Sequence, residues 1–188
     1  MPKGIFKISL LAILLGGFVF AGFYFSNLLH FGKDEIPNAQ SNEARKQHQK
    51  LENGDIIFQT SQSEQSKAIQ LATHSAYSHC GLIFWENGQC YVLEASNEVT
   101  FTPIDKFIRK GKGKHYVVKR LRNSTEIFSS AEVSEKIAKI ISDKFLGKPY
   151  DIYFGWSDDK IYCSELVWKI FKEALNIEVG NLEKLKDF

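Results

Sequence analysis

The stretch YSHCGLIFWENGQCYVLEAS, residues 77–96, carries His79, Cys80, Cys90 and Glu94, and a third cysteine, Cys163, stands far down the chain. A thiol, an imidazole and a carboxylate are the three groups of one kind of nucleophilic site. The thiolate attacks, the imidazole moves the proton, and the carboxylate fixes the imidazole tautomer and stabilises its charged form. With three cysteines, at least one thiol is free or pairs with another chain. No CxxC or Cys/His metal spacing occurs, so the expectation is a site with no metal and no cofactor.

The hairpin decides which of these residues can meet. Asn87-Gly88 is the favoured pair for a two-residue type I′ turn, because both positions need positive φ. That turn sets Glu86 against Gln89, Ile83 against Val92 and Gly81 against Glu94. His79, Gly81, Ile83 and Trp85 then share a face with Glu94, Val92 and Cys90, while Cys80, Leu82 and Phe84 point the other way. His79 lies diagonal to Glu94, within reach of a long side chain, and Gly81 leaves room between them. Cys80 projects away from the imidazole. Cys90 shares its face but sits about 13 Å off at the turn end. Both read as small apolar fillers, and opposite faces argue against a Cys80–Cys90 disulfide. Alone, His79 and Glu94 read equally well as a structural pair.

Cys163 stands where the coil GWSDDKIY gives way to the amphipathic run CSELVWKIFKEAL, residues 163–175. A thiol in the first helical turn meets unsatisfied N–H groups and the positive end of the macrodipole, both of which favour the thiolate. The same N–H groups can hold a developing oxyanion. A core cysteine at a helix start fits that position too.

These residues need elements to position them. GDIIFQT, 54–60, reads as a turn and a buried strand. Ser61 with Glu64 has capping-box spacing and predicts a helix over 63–72. HYVVKRL, 115–121, reads as a strand, and the basic run RKGKGKHYVVKR, 109–120, as a solvated loop leading into it. Ser129 with Glu132 predicts a second helix, whose stripe of Val133, Ile137, Ile140, Ile141 and Phe145 faces the core until Gly147 and Pro149 end it. The fold class is α+β: a small antiparallel sheet or barrel packed with helices.

The chain has 188 residues, 44% hydrophobic and 24% charged, enough for one domain and an appendage. Its net charge of +2 and pI of about 8.3 do not suit a dedicated nucleic-acid binder. Residues 1–7 form a short tail, and 8–32 contain no Asp, Glu, Lys or Arg. About 20 apolar residues span a bilayer as helix, whereas a signal-peptide core runs only ~7–15. The expectation is an uncleaved membrane anchor rather than a signal removed near Ala21-Gly22. Lys3 and Lys7 before the run nearly balance Lys33, Arg45 and Lys46 after it; an extracytoplasmic, periplasmic domain is the orientation expected. A polar tether, 33–50, leads to the folded domain at 51–188.

In order along the chain, GDIIF, YSHCGLIF, VLEA, GKPYD and IYCSELV resemble the YiiX/YebB-like family, circularly permuted members of the papain-like NlpC superfamily of thiol hydrolases. The resemblance covers about 51–175. It implies a permuted papain-like fold with Cys163, His79 and Glu94 as the active site, the order His, acid, Cys reflecting the permutation. It also implies an amide substrate: a peptide, a cell-wall fragment or an acylated amine. Relatives of the lecithin:retinol acyltransferase kind make acyl transfer or lipid thioester cleavage the alternative, and an inactive binding module on the same fold a second. Cys80 stands where relatives tend to have an aliphatic residue, and His74 where a small or polar one is expected. Tyr77, Tyr150, Asp151 and Ser164 are the candidate site-lining residues. Pro149 restricts the residue before it and holds Tyr150 and Asp151 in a turn. Tyr153, Phe154 and Trp156 form either one wall of a substrate groove or a cap on the core.

Overall fold

The computed structural model describes residues 50–182. The apolar run at 8–32 and the tether before Lys50 lie outside them. No helix among the described residues is long and apolar enough to cross a membrane.

The chain first lays down strand β1 (Ile56–Ser61) and helix α1 (Ser66–Thr73), then β2 (His79–Glu86), β3 (Gln89–Ala95) and β4 (Val99–Pro103). Helix α2 (Ile104–Lys110), β5 (Gly111–Lys119), α3 (Ser124–Ser129), α4 (Ala131–Ile140) with a π turn over Ile141–Phe145, and α5 (Cys163–Leu175) follow. Among the described residues the strands form one antiparallel five-stranded sheet, ordered β4-β3-β2-β1-β5. It is open: β4 and β5 are its edges.

The β2–β3 hairpin has the register the turn predicts, with Ile83 opposite Val92 and Glu86 opposite Gln89. Asn87 and Gly88 take φ of 48° and 75°, the two positive values a type I′ turn requires. Alternation then splits the core in two. On one face Leu82, Phe84 and Leu93 pack against Ile137, Leu166 and Phe171 of the helices; on the other, Ile83, Val92 and Ile57 pack against Phe107 and Ile104 of α2. Each such side chain contributes about 1.5–3 kcal/mol by leaving water. Gly81 has no room for a larger residue: a Cβ there would lie 2.5 Å from Val92 Cγ1 and 2.7 Å from the Leu93 carbonyl oxygen. Asp55, fully buried, accepts from Arg120 Nε (2.6 Å) and Nη2 (2.7 Å), fastening the start of β1 to the chain just beyond β5.

Several element boundaries differ from expectation. Ser61 does not cap α1, because it ends β1 and its hydroxyl bonds Ser63 and Ser78. Helix α4 is capped one residue later than expected: Ser130 Oγ accepts from the Val133 N–H, while Ser129 closes α3. The basic run at 109–120 is not a loop. Arg109 and Lys110 end α2, and β5 begins at Gly111. Helix α2 has seven residues, too few for a 3.6-residue period to declare itself.

Candidate active site

Helix α5 crosses the face of the sheet that carries Cys80, Leu82 and Phe84, and its buried stripe of Leu166, Val167, Ile170 and Phe171 fixes it there. Glu165 reaches back to accept from the Tyr162 N–H (3.3 Å), the carboxylate half of a capping box. This starts the helix at Cys163 and points its first turn toward the beginning of β2.

His79 opens β2, and its approach is held by hydroxyls. Ser78 Oγ accepts the Ser61 N–H (2.9 Å) and bonds Ser66 Oγ (2.7 Å), while the Ser78 N–H donates to the Gln59 carbonyl (3.1 Å). His79 Nε2 lies 2.6 Å from Glu94 Oε2, and Phe107 stacks on the imidazole with ring centroids 5.6 Å apart. Cys163, at the start of α5, is the other group that acts on the ring and favours its charged form. The imidazole thus has a carboxylate bonded to it and a thiol acting on it.

Glu94 is fully buried. Its second oxygen, Oε1, accepts from Thr102 Oγ1 (2.6 Å) and Lys110 Nζ (2.7 Å). Burial alone would raise its pKa, but the bonds from His79, Lys110 and Thr102 outweigh it and hold the carboxyl at about 2. Burial would likewise lower the His79 pKa, yet Cys163 and Glu94 together carry it up to about 10. Cys163 is held well below the ordinary thiol value by a hydrogen bond from the Cys80 thiol, which with the His79 contacts prevails over burial. These shifts favour a thiolate at Cys163 and an imidazolium at His79, with the Glu94 carboxylate bonded to the ring.

Folding brings Cys163, His79 and Glu94 together as the sequence reading expects. It also brings in three residues that reading left out. Lys110 falls within the basic run taken as solvated, and Thr102 on a strand not foreseen; nothing in the local pattern marks either. Cys80, read as filler, is buried in the helix-facing core as a filler would be. Yet it acts on Cys163, favouring the charged form of that thiol. It points away from the imidazole, as alternation requires, and so toward the core that α5 covers.

The site-lining candidates separate. Tyr150 packs against the same core, and its phenol pKa is raised by burial and by the charges of Cys163 and Cys80. Asp151 is buried, and its carboxylate accepts the N–H groups of Tyr153 (2.9 Å) and Gly155 (2.7 Å), so it shapes the loop that precedes Cys163. Ser164 is exposed on the first turn of α5. Tyr77 stacks on His115, centroids 6.4 Å apart, and tilts against Phe58. His74 is exposed and caps α1 in the left-handed conformation. Phe154 packs edge-on between Tyr150 and Tyr162, whereas Ile152, Tyr153 and Trp156 face solvent.

Over residues 50–188 the chain matches the family described as permuted papain-like amidase enzymes, YaeF/YiiX, C92. It belongs to that family. The uncharacterized protein YiiX of Escherichia coli (strain K12) is 49% identical over 135 residues, 72% of this chain and 64% of the relative; the chain thus spans less than two thirds of that protein's length. The crystal structure of the metalloprotein YiiX from Escherichia coli O157:H7 superposes with a TM-score of 0.67 at 49% identity, covering 73% of each chain.

This last comparison corrects the expectation of a site without metal, since so similar a structure is that of a metalloprotein. The expectation rested on spacing along the chain, which does not register ligands that only folding gathers. Among the described residues, however, no three His, Cys, Asp or Glu side chains are placed to hold an ion. His79 and Glu94 are bonded to each other, and the second Glu94 oxygen to Thr102 and Lys110, so this arrangement does not fit a resident ion.

Proposed function

We propose that this domain is a thiol hydrolase of the amidase or peptidase type, acting on a peptide, a cell-wall fragment or an acylated amine. The observation that carries the reading is the imidazole of His79 held between Cys163 and Glu94. Cys163 attacks the carbonyl carbon, and N–H groups at the start of α5 stabilise the oxyanion. His79, protonated at rest, gives its proton to the departing amine, leaving an acyl-cysteine. It then takes a proton from the water that releases the acid. Glu94 holds the ring in place throughout.

The test is the full-length protein incubated with peptidoglycan peptides, acylated amines and phospholipid vesicles, with products read by mass spectrometry. Amide cleavage should fall at least ~10³-fold in Cys163→Ala. Cleavage that survives that substitution would end the reading. Acyl transfer from lipid is the second reading, favoured by the exposed Ile152, Tyr153 and Trp156 on the loop leading to the nucleophile; it requires movement of acyl groups from vesicles without amide cleavage. An inert binding module would have no use for a thiolate–imidazolium pair. The reading extends to a domain tethered outside the cytoplasm by the uncleaved 8–32 segment. Resistance of the full chain to carbonate extraction, with protease access from the outer side only, would support this.

A further inference from the structure

In the basic run at 109–120, Lys110 bonds Glu94 and Arg120 bonds Asp55 and Glu52. Lys112 and Lys114 pair with no carboxylate among the described residues. The register of β5 shows where they stand. Tyr116 lies opposite Gln59 and Gly111 opposite Ser61, so Lys112, Gly113, Lys114 and His115 together face the single residue Thr60. They form a bulge on the edge strand, and all four are exposed. Gly113 and Lys114 take left-handed φ values of 63° and 57°, a conformation that a lysine adopts only where its surroundings hold it. Gln62 Nε2 donates to the Lys110 and Gly111 carbonyls (3.3 and 3.5 Å) at the root of the bulge. Gln59 also lies opposite His79, which puts the bulge level with the start of β2, two strand spacings or roughly 10 Å away. His115 narrows that gap: its ring stacks on Tyr77, 9° from parallel with centroids 6.4 Å apart, and Tyr77 leads through Ser78 into His79. On the other side Lys110 Nζ reaches Glu94 Oε1 at 2.7 Å. The bulge is thus tied at both ends to the residues around the imidazole.

We propose that the 112–115 bulge is the subsite for an acid group of the substrate, so that the preferred amides carry a carboxylate held by Lys112 and Lys114. The inference rests on the hydrolase reading and narrows its substrate class. Two unpaired ammonium groups on one short bulge offer six N–H donors and two positive charges to an anion. Their distance from His79 is close to the Debye length at physiological salt, so an anion at the site feels them. A neutral amide gains nothing from them. Cations at the rim of a site also raise the local concentration of anionic substrate, an effect that salt removes. The bulge therefore sorts substrates by charge without touching the reacting atoms.

The experiment alkylates Cys163 of the full-length protein with anionic iodoacetate and with neutral iodoacetamide, and takes the ratio of the two rates. The double variants Lys112→Gln/Lys114→Gln and Lys112→Glu/Lys114→Glu are compared with the unaltered protein, circular dichroism verifying that each is folded. At low salt the ratio should fall about two- to fourfold in the glutamine pair and further in the glutamate pair. The iodoacetamide rate should not move, and in ~1 M KCl the three proteins should converge. Amide cleavage gives a second readout. Of two peptides differing only in a free C-terminal carboxylate against a carboxamide, the acid should show the lower KM with kcat unchanged, and the glutamine pair should erase that preference. An iodoacetate ratio that is the same in all three proteins at low salt overturns the inference and leaves the hydrolase reading standing. A ratio that falls as expected, with no amide cleaved, upholds a cationic rim and counts against the hydrolase reading alone.

Discussion

At the scale of single residues, the groups around Glu94 are unequal. His79 is 11% exposed and Glu94 fully buried, so their bond acts in a medium where it counts. Lys110 is 42% exposed at its side chain, and water screens it. Glu94→Gln should therefore lower amide cleavage by about 10²–10⁴-fold by releasing the imidazole. Lys110→Met should lower it by about fivefold or less, the ~1 kcal/mol ceiling of a screened pair. Equal losses would mean that Lys110 does more than hold Glu94. Thiol titration reads the same environment. Cys163 should alkylate at about pH 6, where an ordinary thiol is almost wholly protonated. Cys80 and Cys90, with pKa values raised by the Cys163 contact and by burial respectively, should remain unmodified in the folded protein.

At the scale of elements, short-range signals behaved differently from one another. The Asn87-Gly88 turn fixed the β2–β3 register, and with it the diagonal placing of His79 and Glu94, because a two-residue I′ turn admits one pairing. Serine caps were less decisive. Ser129 and Ser130 adjoin, and the chain selects the cap only once α3 has closed against α4. Ser130→Ala should cost about 1 kcal/mol in urea unfolding, whereas Ser129→Ala, which removes only a bond to the Glu126 carbonyl, should cost about half that or less. The reverse order would return the cap to Ser129. The start of α5 was legible from its amphipathic stripe. The loop before it was not, since its shape comes from Asp151 gathering backbone N–H groups and from Lys169 bonding the Ser157 carbonyl (2.6 Å) and Asp158 (2.8 Å).

At the scale of the whole molecule, the buried charges tie stability to pH. The folded pKa of His79 is raised from 6.5 to about 10, so its contribution is complete below pH 6.5 and is lost as pH rises through 10. Cys163 has a folded pKa well below 9.0, so its contribution is complete above pH 9.0 and is lost as pH falls. Between 6.5 and 9.0 the two slopes oppose each other: folded and unfolded chains then hold the same one proton between these two groups. The urea midpoint should be flat across that window, fall above it, and fall below it. The Glu94 contribution, complete above 4.5 and lost as pH falls through about 2, steepens the acid side. In Cys163→Ala the window should close: the Cys163 slope is gone and His79 keeps only the part of its raised pKa that Glu94 supplies, so stability should decline above pH 6.5 over a narrower range than in the unaltered protein. A flat profile in that variant would show that His79 is not held protonated by Glu94.

The sequence by itself determined the hairpin, its register, the α5 helix, the family and the three residue types of the site, because turn chemistry and periodicity act over a few neighbouring residues. Only the tertiary structure decided that Lys110 and Thr102 brace Glu94 and that Asp151 shapes a loop. It alone decided that Cys80 and Cys163 share one core. Alternation along β2 told that Cys80 turns its back on His79, but not which helix lay beneath it. Contacts between distant segments are set by how faces pack, and no local pattern records which face a later helix will cover.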